Sequence, residues 1–332
     1  TAWGLAPKMV AERAALYVAD PINLTASFTY PATSLVSYLF QRVPGQFYEW
    51  QCLAGLDILF LACIAPAAAM PRKNWAGAVL VFAAGFLLPF FFSVVPAGTP
   101  STMYANAMAD TPLALLFGGT LCLYAAAGGR KTGFFACAMP LAVLTMTKDI
   151  GFAYALIVAF LIGLDQLFGT PHPDTKPARI FGVSLAKCSI LAAVVLAVFI
   201  SWNRYTAAVT PTETTGASVG SAGLSYGAVL GIGREERFAQ IMQSMGQAFL
   251  YRRVCLVGAP IMAVSCILLL FTAAFVAAPA GAARRRTVVG FVGGAFCFAA
   301  LYLFHLILYF YNFSEAEGSA LKDYERYIAP YL

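Results

Sequence analysis

The chain has 332 residues, of which 61% are hydrophobic and 11% charged, with a formal net charge of +6. Its mean hydropathy of +0.76 excludes a soluble globular enzyme and a disordered tail. The cations gather in short loops between apolar stretches, so the positive balance speaks of membrane orientation and not of nucleic acid.

Thr1–Val18 interleaves Trp3, Leu5, Met9, Val10, Leu16 and Tyr17 with Lys8, Glu12 and Arg13, the pattern of an amphipathic helix in a membrane interface. It lacks the charged and apolar regions of a signal peptide. Pro31–Arg42 has a helical pattern but is too short to cross, and Pro44-Gly45 follows it, so it is expected to be re-entrant or to lie in the outer interface. Apolar windows of about 19 residues then give eight spans: Glu49–Met70, Trp75–Val95, Thr111–Gly128, Gly133–Thr147, Asp149–Leu164, Ile180–Trp202, Val254–Ala278 and Val288–Tyr311.

Loops with Arg72-Lys73, Arg130-Lys131, Lys176 with Arg179, and Arg284-Arg285-Arg286 alternate with loops that lack such clusters. The positive-inside rule puts those four in the cytoplasm. The opposite face receives residues 1–48, Pro96–Asp110, the Thr147–Asp149 turn, the loop Asn203–Arg253 and the tail Asn312–Arg326. Within the long loop, Thr210–Gly233 is rich in Gly, Ser and Thr. Arg234–Arg253 carries Phe238, Ile241, Met242, Met245, Phe249 and Leu250 at helical spacing, which predicts a helix docked on the outer surface.

The fold class expected is an all-α, polytopic transmembrane helical bundle of about eight spans with outer-face interfacial helices. One domain covers 1–332: an outer juxtamembrane segment 1–48, the first six spans in 49–202, an outer loop 203–253, and the last two spans with a tail in 254–332. Thr1 is not an initiator, and Tyr327–Leu332 reads like the first turn of a further span. The sequence therefore reads as an internal fragment of a longer protein.

Charge interrupts this apolar background at Lys148 and Asp149, inside a run from Gly133 to Leu164 that is too long for one span. An ionisable pair at such a hinge is a candidate functional site; the plainer reading is a solvated turn with a snorkelling lysine. The same outer face holds Lys8, Tyr30, Tyr104, Asp110, Arg204, Arg326 and Tyr327. Lysine and arginine there suit a phosphate, and tyrosine suits either a sugar or the aromatic belt. Inside the spans, Asp57 either lines a cavity or hydrogen-bonds across helices, Lys187 is expected to snorkel, and His305 to bond between helices. The eight cysteines make no CxxC spacing, and His172 and His305 stand alone, so neither metal centre nor cofactor is expected.

The order of short motifs resembles the GT-C glycosyltransferases, polytopic enzymes that use polyprenyl-phosphate sugars. It is similar in particular to bacterial relatives of the protein O-mannosyltransferases and of the lipid A aminoarabinose transferase. Trp3-Gly4-Leu5-Ala6-Pro7-Lys8-Met9 resembles the segment after that family's acidic motif in the first outer loop. Tyr30-Pro31-Ala32 with Phe47-Tyr48-Glu49-Trp50 resembles its YPP…EW region, with one proline where relatives often have two. Tyr104 to Asp110 with Pro112-Leu113-Ala114-Leu115-Leu116 resembles a Y…D-x-P-L-x-L-L pattern. Leu144-Thr145-Met146-Thr147-Lys148-Asp149-Ile150-Gly151 resembles the LTK-acid-x-G turn, with Met146 in place of leucine, and Tyr324-Glu325-Arg326-Tyr327-Ile328 an RY-containing span start.

The resemblance implies transfer of a sugar from a lipid-linked donor to a glycan, lipid or protein acceptor at the outer face of a bacterial plasma (inner) membrane. It implies donor-phosphate binding by Lys148 and Arg326, and a cavity drawn from Lys8, Tyr30, Asp57, Tyr104, Asp110, Asp149, Arg204 and Tyr327. It puts the catalytic carboxylate just ahead of Thr1. A divalent metal occurs in some relatives. Competing readings are a flippase or secondary transporter of a lipid-linked glycan and a polymerase or ligase using the same donor. A transporter needs polar residues near mid-bilayer on several helices, and here the charges gather at one face.

Overall fold

The computed structural model describes residues 2–13, 16, 30–42, 46–70, 74–91, 108–127, 131–169, 177–209, 235–254, 258–311 and 313–332. They form α1 (Ala2–Arg13), α2 (Ala32–Gln41), α3 (Glu49–Ala68), α4 (Trp75–Phe91), α5 (Asp110–Ala126), α6 (Lys131–Ala136), α7 (Ala138–Thr145) and α8 (Gly151–Leu164), the last running into a π-helical turn, Asp165–Gly169. After these come α9 (Pro177–Val209), α10 (Glu235–Tyr251), α11 (Pro260–Ala277), α12 (Ala282–Tyr311), α13 (Glu315–Ser319), α14 (Tyr324–Ile328) and a closing 3-10 turn, Ala329–Tyr331. No strand occurs among the described residues.

Five helices are long and apolar enough to cross a membrane: Glu49–Ala68, Gly151–Gly169, Ala178–Val209, Pro260–Ala277 and Ala282–Tyr311. Trp75–Leu88, Asp110–Ala126 and Gly133–Thr145 are shorter apolar helices. At 1.5 Å per residue the 17 residues of α5 reach about 25 Å, less than the roughly 30 Å of a hydrocarbon core. The span expected over Gly133–Thr147 is an apolar helix over Gly133–Thr145 that is interrupted at Cys137, between α6 and α7. Pro140 has no N–H to bond the Ala136 carbonyl, so the helix restarts instead of continuing. In the other direction, α9 has 33 residues and reaches about 50 Å, carrying Asn203, Arg204 and Tyr205 past the expected end at Trp202.

Two packed clusters organise the bundle. In the first, α5, α7, α8 and α9 bury Leu113, Leu141, Leu144, Tyr154, Val158 and Leu191. Helix α3 lies against α5 closely enough that a Cβ at Gly119 would come within 2.7 Å of the Cys63 carbonyl oxygen, the small-residue approach that packs helices in lipid. The second joins α10, α12 and the C-terminal segment through Ile241, Met245, Leu306, Tyr309, Tyr324 and Ile328. The expected helix over Arg234–Arg253 is present as α10, with Ile241 and Met245 inward. Met242 and Leu250, however, are 54% and 47% exposed, and Ala248 completes the buried i, i+4, i+7 stripe.

Candidate functional site

The turn between α7 and α8 builds the site from its backbone. At the end of α7, the Thr145 and Thr147 hydroxyls donate back to the Leu141 and Val143 carbonyls, each at 2.8 Å, the i−4 bond that gives a buried hydroxyl in a helix its partner. The chain then reverses, and the Gly151 N–H donates to the Lys148 carbonyl at 2.8 Å to start α8. A Cβ at Gly151 would collide with the Leu144 carbonyl, so only glycine lets the two helices close this tightly. From outside, the Ala32 N–H donates to the Met146 carbonyl at 3.0 Å. This bond ties the Tyr30-Pro31-Ala32 segment to the turn.

Lys148 then points inward. Its Nζ lies 2.5 Å from Asp110 Oδ1, while Arg326 Nε donates to Asp110 Oδ2 at 2.6 Å. The side chains of Lys148, Asp110 and Arg326 are 16%, 13% and 23% exposed. Asp110 opens α5, where a carboxylate also suits the positive end of the helix dipole. Three distant stretches of sequence thus deliver two cations to one carboxylate, and Lys148 Nζ sits 5.0 Å above the Tyr327 ring. Among the described residues, Arg326 reaches Asp110 through Nε alone, so both terminal amino groups keep their donors. Asp110 and Arg326 line one end of a cavity of about 360 Å3, whose wall continues through Leu115, Gly118, Cys63 and Leu88.

The other expected site residues divide. Tyr30 lies beside the turn, its ring 6.0 Å from Trp202, which in turn stacks on Tyr205 at 5.6 Å. Burial, with the Asp149 carboxylate nearby, pushes the Tyr30 hydroxyl up to about 12. Asp149 itself is exposed and does not follow Lys148 inward. Even so, the protein crowded around it raises its carboxyl above the usual carboxylate range, with Lys148 pulling partly the other way. Arg204 is exposed on the projecting end of α9 and Lys8 pairs with Glu12 of its own helix at 3.8 Å, so among the described residues neither joins the triad. Asp57 stays within α3, its Oδ1 buried without a hydrogen-bond partner among the described residues. Tyr104 lies outside the described residues.

A second polar network, which no sequence motif announces, sits at the opposite ends of α5 and α8. Arg286 forks onto Asp165 through Nε (2.9 Å) and NH2 (2.6 Å), and the Tyr124 hydroxyl donates to Asp165 Oδ2 at 2.8 Å. Gln166 Nε2 reaches the Tyr124 hydroxyl at 2.5 Å, and Lys187 Nζ donates to Gln166 Oε1 at 2.6 Å. Lys187 is therefore a partner within the bundle and not the snorkelling side chain expected. His305 bonds along its own helix, to the Leu301 carbonyl at 3.0 Å, and across to the Tyr331 hydroxyl at 2.7 Å. No group of His, Cys, Asp and Glu among the described residues is arranged to hold a metal ion. No family model, curated protein or solved structure matches the chain.

Proposed function

We propose that this chain is an integral membrane glycosyltransferase of the GT-C kind, acting at the outer face of a bacterial plasma membrane with all eight apolar segments crossing. It transfers a sugar from a polyprenyl-phosphate-linked donor to a glycan, lipid or protein acceptor. The observation that carries the reading is the convergence of Lys148 and Arg326 on Asp110 at one end of an apolar cavity. An anionic head with an apolar chain matches that combination. The triad holds two cations and one carboxylate, a net charge of +1, which balances a sugar phosphodiester. As the acceptor oxygen bonds to the sugar's anomeric carbon and gives its hydroxyl proton to a carboxylate base, the carbon–oxygen bond to phosphate breaks and its electron pair goes to the phosphate. The spare donors of Lys148 and Arg326 answer that growing charge.

The test is transfer from a radiolabelled polyprenyl-phosphate sugar by the purified full-length protein. Lys148→Met removes one charge-assisted contact to the leaving phosphate, worth about 2.7–4 kcal/mol in comparable oxyanion sites. Turnover should therefore fall roughly a hundredfold or more. A wild-type protein that binds polyprenyl phosphate no better than the matching polyprenol overturns the reading. The sidedness is checked by cysteine labelling with an impermeant reagent. Outside labelling at Lys131→Cys with none at Val219→Cys would reverse it.

A further inference from the structure

The segment that delivers Arg326 is held from the outer helix. Helix α14 has five residues and follows a turn in which Leu321 (φ 51°) and Asp323 (φ 59°) both take the left-handed conformation. Non-glycine residues persist there only where their surroundings over-determine the backbone. One side chain at the end of α10 supplies much of that constraint. Arg252 NH1 donates to the Ala320 and Leu321 carbonyls at 3.0 and 3.1 Å. Its Nε and NH2 fork onto the Glu325 carboxylate at 2.6 and 3.2 Å, and its guanidinium lies 5.5 Å from the Tyr324 ring centre. Tyr302 adds a second tie, donating to the Met245 carbonyl at 2.8 Å and meeting the Tyr324 hydroxyl at 2.9 Å.

Glu325 and Arg326 are neighbours, about 100° apart around a helix of 3.6 residues per turn. When Glu325 is drawn outward to Arg252, Arg326 is turned inward to Asp110. We propose that Arg252 is a positioning residue: its grip on Glu325 and the Ala320–Leu321 carbonyls sets the rotation of α14 and so holds Arg326 at the phosphate site. The inference rests on Lys148 and Arg326 being the donor-phosphate cations. It makes the outer amphipathic helix a mechanical part of that site, since a displacement of α10 reaches Arg326 through one guanidinium. Lysine replaces it only in part, because an ammonium keeps the charge but lacks the planar fork that spans carboxylate and carbonyls together.

The experiment compares binding of decaprenyl phosphate and decaprenol by the full chain in nanodiscs. Arg252→Gln should cost about tenfold in affinity for the phosphate, equivalent to 1.4 kcal/mol, and leave decaprenol binding unchanged. Arg252→Lys should recover part of the difference. A variant that loses both ligands equally, or keeps the full preference for phosphate, overturns the proposal. A ligand-free arm measures thermal midpoints for Arg252→Gln, Asp110→Asn and the double variant. If Arg252 holds Arg326 on Asp110, the double variant falls less than the sum of the single losses; additive losses also overturn it. Should the wild type show no preference for phosphate over alcohol, the donor reading fails while this cycle still decides the positioning role.

Discussion

Helices α5 and α8 each end in a charged cluster, and the two clusters use similar residues differently. At one end Asp165 receives three donors, two from the Arg286 fork and one from Tyr124, and Gln166 and Lys187 continue the chain of bonds. At the other, Asp110 receives one bond from Lys148 and one from Arg326, which keeps its terminal amino groups. The Arg286 end is a chain of hydrogen bonds that fastens α12 to the π-helical turn after α8, and Arg286 also lines an apolar cavity of about 680 Å3. The Arg326 end has donors to spare beside an apolar cavity. Charge alone does not separate the two ends; the donors on the carboxylate do, three on Asp165 and two on Asp110.

The largest expected contrast is in activity. Lys148→Met should cut turnover about a hundredfold, far more than its loss of stability accounts for, while Arg286→Met should leave turnover of the surviving folded protein close to normal. If both variants lose activity in proportion to stability, the two clusters are one kind of thing. Stability should show the reverse order. Removing Arg286 leaves Asp165 partly buried with Tyr124 alone, a loss between the ~1 kcal/mol of an exposed pair and the ~3–5 kcal/mol of a buried one. Chemical denaturation in a fixed detergent measures it, and a midpoint equal to wild type would deny the fastening role.

A smaller effect belongs to Asp57, which is outside both clusters. Its unpartnered Oδ1 carries a desolvation cost of about 1–3 kcal/mol, so Asp57→Leu should raise the midpoint. A lowered midpoint would mean that Asp57 has a partner worth keeping. The smallest effect concerns Asp149. Its carboxyl titrates above the usual carboxylate value in the folded state, chiefly because the surrounding protein displaces water from it, and against the pull of Lys148. The folded protein thus holds that proton longer than the unfolded chain. This group favours folding most at acidic pH, and its contribution fades as pH rises from the ordinary carboxylate value through the raised one. Asp149→Asn should flatten the stability curve across that window; an identical curve would show the carboxyl to be fully solvated.

How much of this could be read beforehand follows from range. Helix α10 was legible because Ile241 and Met245 repeat at a helix period, although Met242 and Leu250 turned out to the exposed side. Lys148 was legible because charge in an apolar run is costly wherever it lies. Arg326 and Asp110 were legible only as members of a face, since a bond across 216 residues leaves no periodic trace. Asp165 and Arg286 escaped for the same reason at a separation of 121 residues, and because Arg286 sits in a basic triplet whose orienting role was enough to account for it. The break at Cys137 was hidden by uniform hydropathy, where only Pro140 marked it.

The 216-residue separation of Asp110 and Arg326 also orders events during synthesis. At 5–20 residues per second, Lys148, 38 residues on, is made roughly 2–8 s after Asp110, and Arg326 roughly 10–40 s after it. The carboxylate at the head of α5 therefore gains its first counter-ion before α8 and the helices after it are made. An unpaired carboxylate held among apolar helices is costly, and the nearby lysine shortens that exposure. The second cation, and with it the doubly charged cradle for an anion, is complete only after α10 and α12 have been made. Until Arg326 is made, Asp110 and Lys148 face each other as a neutral pair, without the second cation.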